Sequence, residues 1–143
     1  MKKTFGLLIL CALALVAADN PFVGTWKLNV AKSKFSPGPP LQSQTVTIGA
    51  DNKVEVSGTD GTGQTVTWSY TAAPGTATIT GMPEASVMET RKGNIVNHTW
   101  KIGKGTQKGH GVISKDGKTM TYTLKGTDGD GKKVNDTSVY EKQ

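Results

Sequence analysis

Six side chains carry most of the chemistry this sequence offers: Trp68, Tyr70, His98, Trp100, Tyr122 and Tyr140. Trp68 and Tyr70 stand two apart in Thr65-Val66-Thr67-Trp68-Ser69-Tyr70-Thr71. His98 and Trp100 share their parity with Val96 and Ile102, and Tyr122 shares its parity with Met120 and Leu124. A period of two places such residues on one face of a β-strand, with Thr, Ser and Asn on the other. Their chemistry is recognition. Indole and phenol faces desolvate an apolar or planar molecule, while phenol hydroxyls or an imidazole fix its polar end. The competing reading is that the same rings fill a narrow barrel as packing. For His98 that means a hydrogen-bonded interior histidine.

Other polar residues suggest less. Glu89 and Arg91 are two apart and share a face. They read as a solvent-facing ion pair of small energetic value, with Arg91 as a lone cationic anchor in the alternative. Asp128-Gly129-Asp130-Gly131 has the look of a calcium loop, but the third oxygen ligand and the later Glu of such loops are missing, so it reads as a turn. His98 and His110 have no carboxylate at ligand spacing, so no zinc or haem site is expected, and no other cofactor. No Gly-x-Ser-x-Gly elbow or nucleophile–base pair stands out, so the chain reads as a non-enzyme. The one titratable pair to examine is His98 with Asp136.

The elements that position these residues are strands. Runs at 44–48, 53–57, 65–71, 76–80, 86–90, 96–102, 110–114, 119–124 and 134–140, with one carrying Trp26, recur at the spacing typical of barrels and sandwiches. Asp-Gly pairs at Asp60-Gly61, Asp116-Gly117, Asp128-Gly129 and Asp130-Gly131 supply the positive φ of tight hairpins. Pro21, Pro37, Pro39, Pro40, Pro74 and Pro83 all fall between the runs, where a missing N–H breaks no ladder. Helical periodicity is absent. The expectation is an all-β domain, a single antiparallel up-and-down β-barrel of about 8–10 strands.

The start of the chain reads as an export signal. Met1-Lys2-Lys3-Thr4 is basic, residues 5–16 are apolar, and Val16-Ala17-Ala18 is a small-residue cleavage site. The expected organisation is a signal peptide at 1–18 and a barrel domain at 19–143, with no stable membrane anchor. The single cysteine, Cys11, falls inside the signal, which leaves the domain without disulfides or thiol chemistry. Without Lys2 and Lys3 the formal charge falls from +6 to +4, and Arg91 is the only arginine. The lysines are scattered among acidic residues, which argues against nucleic acid as a partner.

Phe22-Val23-Gly24-Thr25-Trp26-Lys27-Leu28 resembles the opening of intracellular fatty-acid-binding proteins, and Val139-Tyr140-Glu141-Lys142 resembles their last strand. Both belong to the calycin superfamily. Between these ends, Asn20-Pro21-Phe22, Ala31-Lys32-Ser33-Lys34-Phe35-Ser36-Pro37-Gly38 and Ser114-Lys115-Asp116-Gly117-Lys118-Thr119 are similar to small secreted bacterial lipocalin-like proteins. The resemblance implies a calycin barrel with Trp26 plugging its closed end and a cavity behind the six side chains. Two departures follow. Ser138 stands where fatty-acid-binding proteins carry a carboxylate-binding Arg, and residues 29–43, with three prolines, cannot build their two-helix lid. The expected function is binding or carrying a small hydrophobic or amphipathic ligand, by a monomer exported to the periplasm or beyond the cell. The alternative is an envelope interaction protein with a packed barrel that acts through its surface.

Overall fold

The computed structural model describes residues 19–143; the expected signal segment 1–18, with Cys11, lies outside the described residues. Ten strands follow one another: β1 Gly24–Leu28, β2 Ser43–Ile48, β3 Lys53–Thr59, β4 Thr65–Thr71, β5 Thr76–Thr78, β6 Ala85–Lys92, β7 Ile95–Ile102, β8 Gly105–Ile113, β9 Thr119–Thr127 and β10 Lys133–Lys142. They form one antiparallel sheet in the order β4-β3-β2-β1-β10-β9-β8-β7-β6-β5. Every sequential neighbour is a hairpin partner except β4 and β5, and pairing of the first strand with the last, Trp26 opposite Lys142, bends the sheet round. The two sheet edges meet at a single bridge, where Ser69 and Thr80 exchange N–H···O bonds of 3.0 and 2.9 Å. The result is an up-and-down barrel closed everywhere but along this one thin seam.

Inner-face alternation follows the sequence pattern where apolar side chains mark it. It was hidden where they do not. β8 begins at Gly105, five residues before the run expected at 110–114. Its inward positions are Gly105, Gln107, Gly109, Gly111 and Ile113, so four of five carry no apolar side chain to betray a strand. β5 stops at Thr78, and the expected continuation to 80 is reduced to the seam bridge.

The barrel has two unlike ends. One gathers the turns at 49–52, 93–94 and 114–118 with the entering chain at Phe22, and it is packed solid. Phe22, Trp26 and Ile113, three of the largest side chains with almost no exposure, lie at this end. The Trp26 Nε1–H donates to the Phe22 carbonyl at 2.9 Å, which satisfies the indole and ties the entry segment to β1. Lys142 Nζ lies 5.2 Å from the centre of the Trp26 ring.

At the other end lie the turns at 60–64, 103–104 and 128–132. Here residues 33–42 run as an irregular strap after a 3-10 turn at Val30–Lys32 capped by Asn29. The strap is sewn to β10 by the Lys34–Thr137 bridge, by Asn135 N–H to the Ser36 carbonyl and by Ser36 N–H to the Asp136 carboxylate. Gln42 N–H to the Thr59 carbonyl fixes its far side. As the prolines dictate, no helical lid forms, and among the described residues no helix is long and apolar enough to cross a membrane.

The packed end should carry a large share of the stability. Trp26→Ala removes a fully buried indole and leaves a cavity, so it should cost about 3–5 kcal/mol in a urea titration. A loss below 1 kcal/mol would remove Trp26 from the role assigned to it.

Candidate ligand-binding site

Above the packed end the interior is hollow. A cavity of about 430 Å³ extends to the strap, within the size range of small-molecule sites. All six residues singled out in the sequence line it: Trp68 and Tyr70 from β4, His98 and Trp100 from β7, Tyr122 from β9 and Tyr140 from β10. They divide between wall and polar network. Trp68 and Trp100 meet edge to face at 5.5 Å, Tyr70 meets Trp100 at 5.9 Å, and the His98 ring stacks on Trp100 at 5.1 Å. Val46, Val56 and Ile102 extend the apolar wall.

The polar network centres on a residue read from sequence as surface. Glu89 and Arg91 were expected to face solvent, and this is corrected: their side chains are 4% and 16% exposed, and both line the cavity. Strand register is the cause. In β6 the inward face is Ala85, Val87, Glu89 and Arg91, while Met88, of the opposite parity, is 46% exposed outside. Pairing of β6 with β7 sets Glu89 directly opposite His98. His98 Nε2 lies 2.9 Å from Glu89 Oε2, and the Tyr70 hydroxyl donates to the same oxygen. Arg91 Nε makes ion-pair contact with Glu89 Oε1 but is out of line for a hydrogen bond, which leaves that buried N–H without an acceptor. The guanidinium also lies 5.5 Å from the centre of the Phe22 ring, at the packed end.

The network continues over β8 to β9. Trp100 Nε1–H donates to the Tyr122 hydroxyl at 2.9 Å, and that hydroxyl lies 3.1 Å from His98 Nδ1. Both ring nitrogens of His98 are thereby engaged, Nδ1 by the Tyr122 hydroxyl and Nε2 by Glu89. His98 and Asp136, the titratable pair to examine, make no hydrogen bond or ion pair with one another; the carboxylate beside His98 is Glu89. His110 is exposed, with Nδ1 2.8 Å from the Asn97 side-chain oxygen.

Two glycines make room for this reach. Gly109 of β8 is paired with His98 on one side and Leu124 on the other. A Cβ at Gly109 would collide with the Tyr122 hydroxyl, and one at Gly111 would sit 2.7 Å from Val96 Cγ1 and 3.1 Å from the Tyr122 ring. The ring of Tyr122 therefore lies over a notch in β8.

Charge states follow from these contacts. Burial alone would push the Glu89 carboxyl up, but hydrogen bonds from His98 and Tyr70 and the nearby Arg91 charge hold it down, to about 2. Burial pushes the Tyr70 hydroxyl up, helped by the Glu89 charge, and burial likewise raises Tyr122. Tyr140 is pushed up to about 12 by burial and donates to the Gln44 side-chain oxygen. All three phenols are therefore neutral donors at pH 7.

Near the strap the cavity is bordered by Phe35, Leu41, Gln107, Asp128, Asp136 and Ser138. Asp136 faces the interior, as alternation with Ser138 and Tyr140 required, and burial raises its carboxyl. Sequence reasoning missed Glu89, Arg91, Gln44 and Gln107. Val87 shares the parity of the first two, but the neighbouring Met88 offers the opposite one, so the sequence alone left their face open.

The ten strands form an up-and-down β-barrel with a hollow, aromatic interior, a calycin-like fold. A solved structure of the same architecture is fatty-acid-binding protein 1 of Echinococcus granulosus, with a TM-score of 0.57 over 85% of this chain and 97% of that one. The two share 15% sequence identity, so the likeness is one of fold. No family model matches the chain, and no curated protein does.

Two outcomes follow. Glu89 sits below its ordinary value of 4.5, so its stabilising contribution is full above that pH and is lost as pH falls toward 2. Glu89→Gln should weaken the fold at pH 7 and flatten its acid unfolding between pH 4.5 and 2, followed by tryptophan fluorescence; parallel acid unfolding of both proteins would contradict the assignment. Gly109→Ala should displace Tyr122 and cost roughly 1–3 kcal/mol in thermal denaturation.

Proposed function

We propose that this protein binds a small amphipathic molecule inside its barrel, as a carrier or scavenger and not as a catalyst. The observation that carries the reading is the hollow of about 430 Å³ with an apolar, aromatic wall and a few convergent polar groups. A barrel acting only through its surface needs no such hollow. Binding would be driven by desolvation of the ligand against Trp68 and Trp100, with Tyr122, Tyr140 or His98 meeting polar atoms. The phenols argue against catalysis, since burial raises all of them and leaves no activated nucleophile.

Likeness in fold to a fatty-acid-binding protein supports an apolar interior ligand. Export belongs to the same proposal. The basic start and apolar run of residues 1–16 support secretion to the periplasm or beyond, where a monomeric lipocalin-like barrel would sequester or ferry a poorly soluble compound.

Native mass spectrometry of the protein purified from an exported fraction is the test. A copurified small-molecule adduct is expected, and Trp100→Ala should reduce its occupancy at least about tenfold while the fold persists. A clean apo mass, together with unchanged tryptophan fluorescence across a panel of lipids and planar aromatics, would defeat the proposal.

A further inference from the structure

Resting on the reading that the interior takes a ligand, we infer that the cavity is built for amphiphiles with a cationic amine head and against carboxylates, the head meeting Asp136 beneath the strap. The carboxylates that line the cavity are Glu89, Asp128 and Asp136, the basic side chains are Arg91 and His98, and no lysine is among the lining residues. Arg91 and His98 are both held against Glu89, so neither is free to meet a ligand's carboxylate. A carboxylate entering this space would find no free cation and two further carboxylates.

Asp128 is occupied structurally, because its Oδ1 accepts the backbone N–H groups of Asp130 and Lys132 within the 128–132 turn. Asp136 is different. Its Oδ1 accepts the Ser36 N–H at 2.9 Å, and among the described residues it has no cationic partner. Burial raises its carboxyl, as expected for a partly desolvated acid lacking a counter-charge. An ammonium there would supply that charge and form a charge-assisted hydrogen bond.

A second feature points the same way. Gln107 is 6% exposed, borders the cavity, and makes no side-chain hydrogen bond among the described residues. Its amide oxygen is an acceptor for an ammonium N–H. Gln107 and Asp136 both belong to the strapped end, since Gln107 pairs with Gly126, which pairs with Val134. The apolar tail of such a ligand would then lie against the aromatic wall of Trp68 and Trp100.

The inference opposes the charge of the whole protein, which makes it discriminating. Without Lys2 and Lys3 the formal charge of +6 becomes +4, still positive, so the outer field favours anions, and only the local lining can reverse that preference. The experiment is isothermal titration of the exported, full-length mature protein with decylamine, decanol and decanoate below their aggregation limits, at one ionic strength and pH 7. Decylamine should bind at least about tenfold tighter than decanoate and about fivefold tighter than decanol. Asp136→Asn keeps an acceptor for the Ser36 N–H, and it should bring decylamine down to the level of decanol. Thermal denaturation of the variant reports that it is folded. Equal or tighter binding of decanoate, or an amine preference that survives Asp136→Asn, would overturn the inference and leave ligand binding itself intact. Failure of all three probes to bind would overturn the binding reading and this inference with it.

Discussion

Glu89 is a carboxylate carried inside an apolar barrel, and much of the inner surface is arranged around keeping it charged. A bare carboxylate at that depth would take up a proton. Here Tyr70 and His98 donate to one oxygen and Arg91 faces the other. His98 is then held by Tyr122, which is oriented by Trp100. Four strands, β4, β6, β7 and β9, are tied together through one acid. Removing any member leaves a buried polar group unpaired, and that loss exceeds the net value of the bond itself.

The glycines of β8 belong to the same arrangement. The Tyr122 hydroxyl of β9 can reach His98 of β7 over β8 only if that intervening strand presents no side chain, which is what Gly109 provides. The same absence of side chains helps to keep space open beside the network. Packing and hollow are thus separated along the barrel axis. Aromatic and aliphatic bulk fills the end near Phe22 and Trp26, and smaller or polar side chains leave room toward the strap.

Closure is achieved with little material. Pairing of β1 with β10 bends the sheet, but β4 and β5 meet through only the Ser69–Thr80 bridge. The opposite mouth is crossed by residues 33–42, whose prolines prevent a helix but allow an extended strap anchored to β10 and β3. Asp136 serves this anchorage through Ser36 while turning its carboxylate toward the interior. One side chain thereby links the covering segment to the chemistry of the space it covers.

The sequence by itself determined the all-β class, the hairpin order and the inward set Trp68, Tyr70, His98, Trp100, Tyr122 and Tyr140, because alternation of large apolar and small polar residues is a local signal. It also excluded the helical lid, through three prolines in a short span. It could not place Glu89 and Arg91. Their strand offers apolar residues at both parities, Val87 inward and Met88 outward, and only pairing with β7 decides which face is buried. It could not show β8 past its C-terminal end, since glycine and glutamine carry no hydrophobic pattern. Nor could it choose between a filled and a hollow barrel. That depends on which side chains meet across the interior, a sum over distant strands that exists only once the sheet has closed.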